Sequence, residues 1–440
     1  MHIVPKVLLG FLAVLGLAWG MQVAQTTYHG SLPWIVRQET LHLSGVLALA
    51  LMSLAMLLAA RLARLEPLFG GLDRMYRTHK WAGIWAGIFA GVHWLAKEVL
   101  GPYLKTTIGR EGKVSREKFE GILGSLQHLA KDLGEWALYF LIIMLLIALW
   151  RRFPYRPWRH LHRVMPLIYL ALLFHGVLLA PSAYWRSTIG VLLLLCGAAG
   201  TYGAWLALRG QIGQHRQIAG KVTALATPAS GVLQLRCALG TGWPRHKPGQ
   251  FVFVTSDAAE GAHPFTIASA DRGNGEISFF IKALGDYTRG LAQRLRPGQT
   301  LRVEGPYGGF DWARRNRAAQ QIWVAGGIGA TPFLSWLEAL QDDKGNVPGV
   351  DFHYCVQDRA SDAIIQRLQV LCAALPQIRL HLHGSAQGER LRAAQLDWPA
   401  GMPAEIWMCG PSGLATALQQ GLRQMGRRDW SWHQEAFAMR

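Results

Sequence analysis

Apolar residues are unevenly spread along this chain. Six windows, near 3–22, 41–60, 81–100, 136–150, 164–181 and 187–208, are apolar over enough residues to be read as spans. A bilayer core of about 30 Å calls for roughly 20 residues of helix. Lys6 ahead of the first apolar stretch imitates a signal peptide, but the further spans make a retained first helix the better reading. After Arg209 the texture changes. Short runs such as 250–254 and 276–281 are bounded by the turns Lys247-Pro248-Gly249 and Arg296-Pro297-Gly298. They predict a small antiparallel β-barrel over 213–312. From 318 onward, apolar strands at 321–325, 351–356 and 405–409 alternate with helical stretches at 331–341, 361–374 and 412–426. That is the pattern of an α/β domain with a parallel sheet. The expected order is a six-helix transmembrane bundle over 1–208, a β-barrel over 213–312 and an α/β domain over 318–440.

Charge sharpens the first part of this picture. Lys and Arg number 45 against 27 Asp and Glu, a formal net charge of +18. Much of the excess flanks the spans, so a lipid bilayer is the expected partner and nucleic acid is not. Arg61, Arg64, Arg74, Arg77 and Lys80 fill one loop, and Arg151, Arg152, Arg156, Arg159 and Arg163 fill another. Six spans put both loops on one side, which the positive-inside rule makes cytoplasmic together with both termini. The connection 101–135 fits less well, since it would be external yet carries Lys105, Arg110, Lys113, Arg116, Lys118 and Lys131. The five cysteines, Cys196, Cys237, Cys355, Cys372 and Cys409, form no CxxC pair. Zinc, iron–sulfur and disulfide frameworks are therefore not expected.

The candidate chemistry of the membrane half lies in histidines. His79 and His93 stand fourteen residues apart in the third span, and His162 and His175 thirteen apart in the fifth. Each pair covers about 20 Å of helix. With the two helices running the same way, His79 meets His162 at one level and His93 meets His175 at the other. Two imidazoles per level can ligate one haem iron and leave it no open position, which favours electron transfer. Fourteen residues keep one helical face; thirteen do not, and Pro166 offers a kink that can restore the alignment. On spacing alone His160 competes with His162. Gly83, Gly87 and Gly91 form a smooth stripe, suited to close helix packing or to porphyrin edges. His42 is read as a polar contact.

The spans and their histidine spacing, with the motifs of the soluble half, resemble the ferric reductase/NADPH oxidase superfamily over roughly 40–440. That resemblance implies a six-helix transmembrane haem bundle with two b-type haems on His79, His93, His162 and His175, followed by FAD-binding and NAD(P)-binding domains. His263-Pro264-Phe265-Thr266-Ile267-Ala268-Ser269 looks like the family's flavin strand, with Thr266 at the isoalloxazine and His263 toward the diphosphate. Lys282-Ala283-Leu284-Gly285-Asp286-Tyr287-Thr288 resembles the element that binds FAD phosphates, through Lys282, Gly285 and Thr288. Gly305-Pro306-Tyr307-Gly308 resembles the loop between the two soluble domains, which adds Gly305 and Tyr307.

Gly326-Gly327-Ile328-Gly329-Ala330-Thr331-Pro332 follows a strand and opens a helix. Glycines let backbone amides approach a pyrophosphate there, and a helix start favours its charge. Met408-Cys409-Gly410-Pro411-Ser412-Gly413 resembles the segment beside the nicotinamide. The ending His433-Gln434-Glu435-Ala436-Phe437-Ala438-Met439-Arg440 resembles the family's terminus, which implies that Phe437 covers the flavin face and moves aside for nicotinamide. Arg359, Ser385 and Arg390 are candidates to read a 2′-phosphate, so NADPH is expected; Ala386, where related NADP-binding reductases often have Arg, keeps NADH in play.

These residues predict an integral membrane protein of the bacterial inner membrane, with its FAD and NAD(P) domains in the cytoplasm. Its expected activity is NADPH oxidase-like electron transfer to external oxygen. A ferric chelate as acceptor, or a protein partner, is the alternative. Phe437, Cys409 and Thr266 are the residues expected closest to the chemistry.

Overall fold

A chain segment in lipid satisfies its backbone internally, and for a long apolar run that means helix. The computed structural model describes all residues except 1–2, 115–116, 118, 151, 228–230, 259, 344–346, 348 and 436–440. It divides into two units: Met1–Phe69 with Arg74–Ile212, and Gly70–Asp73 with Gly213–Arg440.

The first unit is built on α1 (Ile3–Ala24), α2 (Leu32–Ala59), α3 (Leu72–Leu95), α4 (Gly121–Leu149), α5 (Tyr155–His162), α6 (Met165–Leu179) and α7 (Thr188–Leu208). Among the described residues five helical segments are long and apolar enough to cross a membrane: Lys6–Ala24, Leu32–Ala59, Gly121–Leu149, Pro157–Leu179 and Thr188–Leu208. The expected count of six is thus not reproduced by composition. The helix that falls short is α3, which has the length but starts with Asp73, Arg74, Arg77 and Lys80 on its first turns. The expected window 136–150 proves to be the end of a longer helix, since α4 begins at Gly121 inside the connection read as a loop.

Small residues let these helices approach. In α7, Gly200 faces the Cα of Ser53 and Gly203 faces the backbone of Met56 and Leu57, all in α2. The Tyr169 hydroxyl in α6 ties the same three helices, lying 3.0 Å from Ser53 Oγ and donating to the Gly197 carbonyl at 3.2 Å. Close backbone approach and shared polar contacts hold helices in a solvent that offers no hydrophobic drive.

The second unit begins with a six-stranded antiparallel sheet: β1 (Gln217–Ala226), β2 (Val232–Leu239), β3 (Phe251–Thr255), β4 (His263–Thr266), β5 (Glu276–Lys282) and β6 (Thr300–Tyr307), in the order β4-β3-β6-β1-β2-β5. Alternation puts Val252, Val254, Leu235, Ile277, Phe279 and Val303 into one buried cluster. The expected barrel does not close. Among the described residues the edge strands β4 and β5 form no ladder, and the segment after β4 meets β5 through the bonds from Ala268 N–H to the Ser278 carbonyl, 2.8 Å, and from Ser278 N–H to the Ser269 hydroxyl, 3.0 Å. Pro264 lies in β4 and has no N–H to offer a further strand, which suits an edge.

A five-stranded parallel sheet follows, in the order β11-β10-β7-β8-β9. Its strands are β7 (Gln320–Gly326), β8 (Val350–Val356), β9 (Ile378–Gly384), β10 (Ala404–Cys409) and β11 (Trp430–Glu435), with helices α8 (Thr331–Asp342), α9 (Ala363–Ala373) and α10 (Ser412–Gln424) between them. Two of these strands, β9 and β11, were absent from the pattern reading. Helix α8 also fastens the two sheets together. Its Trp336 indole donates to the Pro248 carbonyl at 3.1 Å, its Ser335 hydroxyl accepts from Gly249 N–H at 2.9 Å, and Glu338 accepts from Ala270 N–H at 3.2 Å. Trp323, Phe333, Trp336, Phe310 and Trp407 pack in edge-to-face and stacked contacts around it, a geometry that adds to simple burial.

Candidate functional site

In the membrane unit the four predicted histidines come together in two pairs. Ring centroids of His79 and His162 are 6.0 Å apart, and those of His93 and His175 are 6.3 Å apart. Two imidazoles on one metal stand roughly 6 Å apart, from about 2 Å of metal–nitrogen bond and about 1 Å of ring on each side. The separations match that requirement.

Three of the four rings are also oriented. His79 Nδ1 lies 2.8 Å from the Ala55 carbonyl, His93 Nδ1 2.9 Å from Leu41 and His175 Nδ1 2.8 Å from Ala130. A carbonyl accepts only, so each Nδ1 carries the proton and each Nε2 is left as an electron-pair donor, the arrangement typical of ligating histidine. His162 is placed differently: the Trp158 ring lies over it, at 5.1 Å and 20°. Its helix phase is solved by a break, because α5 ends at His162 and α6 starts afresh at Met165 with Pro166 in its first turn.

The backbone supplies the room. A Cβ on Gly134 would run into the His175 ring, and one on Gly45 would come within 3.2 Å of His93 Nδ1. Of the predicted glycine stripe, Gly83 and Gly91 face open space, while Gly87 packs on Leu145. His160 is exposed. His42 contacts Gln38 at 2.8 Å and Glu39 at 3.1 Å and joins neither pair.

In the second unit, β4 holds His263, Pro264, Phe265 and Thr266. Thr266 is buried, and its hydroxyl has no hydrogen-bond partner among the described residues. Such a group costs stability unless something else meets it, and a flavin ring edge, which both donates and accepts, would do so. His263 stacks on Tyr287 at 3.6 Å and 7°, and burial pushes the Tyr287 phenol above its ordinary range. The Thr288 hydroxyl accepts from Leu284 and Gly285 N–H at 3.0 Å each, closing the turn after β5. Gly305 lies within β6, and Tyr307 ends that strand fully buried, its hydroxyl donating to Glu304 at 2.8 Å. Tyr307 is thus taken up by the packing of the sheet rather than presented in a loop.

The glycine loop and the segment after β10 press backbone on backbone. A Cβ on Gly329 would strike the Cys409 carbonyl, and one on Gly410 would come within 2.8 Å of Gly326 N. Gly327 adopts φ +54, which a side chain disfavours. Thr331 closes the loop, donating to the Ile328 carbonyl at 2.7 Å, and Pro332 follows in the first turn of α8. Lys282 lines one cleft with Gly327, Ile328, Val356, Gln357 and Asp358.

Cys409 is fully buried and pairs across the ladder with Glu435. Burial holds both the thiol and the carboxyl well above their usual ranges. Pattern reasoning missed Glu435. The strand β11 was not anticipated, although its sequence had been noted as part of a recognisable ending. Phe437 lies outside the described residues.

The ferric reductase like transmembrane component profile matches residues 44–173, and an FAD-binding domain profile matches 218–311. The chain carries the architecture of the ferric reductase/NADPH oxidase superfamily. The two profiles join a ferric reductase-like membrane domain to a flavin-binding domain. The glycine betaine monooxygenase reductase subunit of Chromohalobacter salexigens is 29% identical over 209 residues, 43% of this chain and 56% of the relative. The ferredoxin–NAD(+) reductase component of the alkene monooxygenase system of Xanthobacter autotrophicus is 29% identical over 203 residues, 46% and 58% respectively. The chain thus spans little more than half the length of these relatives. A flavohemoglobin from Malassezia yamatoensis, solved with FAD and heme, covers 93% of this chain at 14% identity and TM-score 0.50. That likeness concerns the fold.

Proposed function

We propose that this protein carries electrons from NAD(P)H through FAD and two haems to an acceptor on the other side of the membrane, and that the acceptor is oxygen. The observation that carries the reading is the pair of histidine pairs, each at the centroid separation a shared iron needs. His79 and His162 would hold one haem, His93 and His175 the other. Leu41 and Ala55, whose carbonyls mark the two levels on α2, are fourteen residues and so about 20 Å apart along the helix. When bound, FAD accepts a hydride and releases electrons singly, which is the exchange haem iron requires.

The chain's own residues position and exclude. Thr266 would hold the flavin edge and the 326–329 loop the pyrophosphate, with Cys409 and Glu435 lining the approach. Phe437 would serve as the cover of the flavin face that nicotinamide displaces. His79 with His162 and His93 with His175 would give each haem two imidazoles, a ligand set suited to electron transfer rather than to binding of oxygen at iron. The basic loops at 61–80 and 151–163 support a cytoplasmic position for the FAD and NAD(P) domains of a bacterial inner-membrane protein.

A second reading has support from the relatives, which are reductase components of oxygenases: the electrons would pass to a protein partner. One experiment separates them. Purified full-length protein is reduced anaerobically by NAD(P)H, and oxygen, a ferric chelate or buffer is then admitted while the haem bands are followed. The expected result is two haems per chain and rapid reoxidation by oxygen. One haem or none would sink the haem assignment. Reduced haems that persist in oxygen would remove oxygen as the acceptor and leave the chelate or a partner.

A further inference from the structure

In an open parallel sheet a dinucleotide lies across the carboxyl ends of the strands. Its pyrophosphate sits on the glycine loop, and its adenosine ribose is read by polar side chains nearby. Here the glycine loop follows β7, and β7 pairs in parallel with β8. The residues that leave β8 are Gln357, Asp358 and Arg359, and the first two share one cleft with Gly327 and Ile328. The segment after β9, paired in turn with β8, brings Ser385, Gln387 and Glu389 to the same place.

Arg359 is already engaged there. Its guanidinium donates to the Leu382 carbonyl and to the Glu389 carboxylate. The Asp358 carboxylate accepts from the Gln387 amide at 2.8 Å, and the Ser385 hydroxyl donates to the Gln357 carbonyl at 3.4 Å. The Glu389 carboxylate therefore pairs with Arg359, and the Asp358 carboxylate, held by the Gln387 amide, faces the cleft of the glycine loop.

An exposed ion pair is weak, and a phosphate could in principle displace Glu389 from Arg359. Displacement would not remove the carboxylate. A 2′-phosphate would arrive with close to two negative charges where Glu389 and Asp358 remain within reach. A ribose 2′-hydroxyl, in contrast, can donate to either carboxylate. Rejection by a repulsive group is a common source of specificity.

We infer that Glu389, with Asp358, selects NADH against NADPH, and that Arg359 serves as the counter-ion of Glu389 rather than as the reader of a 2′-phosphate. The inference rests on the assignment of the glycine loop and its cleft to NAD(P)H.

The test follows flavin bleaching by NADH and by NADPH in the full-length protein, by anaerobic stopped flow, before any onward transfer. Wild type is expected to favour NADH by about tenfold or more in apparent affinity. Glu389→Gln should shrink that ratio by about tenfold, chiefly through tighter NADPH. Adding Arg359→Ala to Glu389→Gln should cancel the gain, whereas Arg359→Ala alone should change NADPH little. Glu389→Lys reads the same ratio by a second route, and flavin content reports folding. A wild type that prefers NADPH, or a ratio unmoved by both Glu389 variants, overturns the inference. Failure of the electron-transfer proposal would look different: flavin would bleach with a readable coenzyme ratio, and the haems would stay oxidised.

Discussion

The candidate site of the membrane unit consists of side chains held by backbone, whereas that of the second unit consists largely of backbone exposed by missing side chains. His79, His93 and His175 are each fixed by a helix carbonyl on a neighbouring helix. The glycine loop is defined instead by Gly326, Gly327, Gly329 and Gly410, where a Cβ or an ordinary φ has no place. The difference teaches where each half is fragile. A membrane ligand is one side chain with one lone pair, so its loss is complete. A glycine loop offers several amides, so damage to it is graded.

The largest expected effect comes from crossing these two modes in one residue. Gly134 is a backbone accommodation in service of a side-chain ligand, since a Cβ there meets the His175 ring, which its bond to Ala130 keeps from turning away. Gly134→Ala should abolish one of the two haems, read as a halved haem-to-protein ratio in purified protein. Gly45→Ala, whose Cβ would sit at a tight but tolerable 3.2 Å from His93 Nδ1, should retain both. If the two substitutions behave alike, ligand placement is not what these glycines control.

A smaller effect is expected at Gly329. Its Cβ would meet backbone atoms of Cys409 and Gly410, which cannot swing aside as a side chain can. Gly329→Ala should therefore push the two loops apart and lower kcat/KM for NADH by about a hundredfold, the usual cost of a misplacement near 1 Å. Flavin content should hold, because Thr266 and His263 lie on the other sheet. Loss of FAD together with coenzyme would show that the two sheets yield as one body, and that the graded picture fails.

How far the sequence disclosed this arrangement follows the same division. The histidine pairs were legible because ligand spacing is written directly in residue numbers, and the glycine loop because its composition is rare after a strand. The helix break at His162 was hinted at by Pro166 but not locatable, since a kink and a full restart look alike in sequence. The six-span count failed to reproduce because α3 carries charge on its first turns. The open sheet was hidden because an alternating pattern specifies which face is buried and says nothing of whether two edges meet. Glu435 was in view within a recognised ending, yet its importance depends on being placed opposite Cys409 by a parallel pairing that joins residues far apart in the chain.

The smallest effect concerns acid, and it tests whether the second unit is the more pH-sensitive half. His353, on β8, is buried against β9, with Nδ1 3.0 Å from His383 Nε2 and its ring 4.7 Å from His381 in a stacked contact. Burial above all, with the neighbouring His381 and His383, pushes its pKa down to about 3, while Asp351 opposes the shift. In the unfolded chain the same imidazole titrates near 6.5. Below that value the unfolded state binds a proton that the folded state refuses, so stability falls with falling pH between about 6.5 and about 3. From pH 8 to pH 5 this one residue is expected to cost about 1–2 kcal/mol, a fall of a few degrees in the temperature at which FAD is released. His353→Gln, which carries no titrating group, should flatten that part of the pH profile even if it lowers stability at pH 8. The measurement is flavin fluorescence during heating at each pH, with the haem bands recorded in the same ramp. An unaltered slope in the variant would assign the acid sensitivity elsewhere, and haem bands that shift in step with flavin release would erase the contrast between the two units.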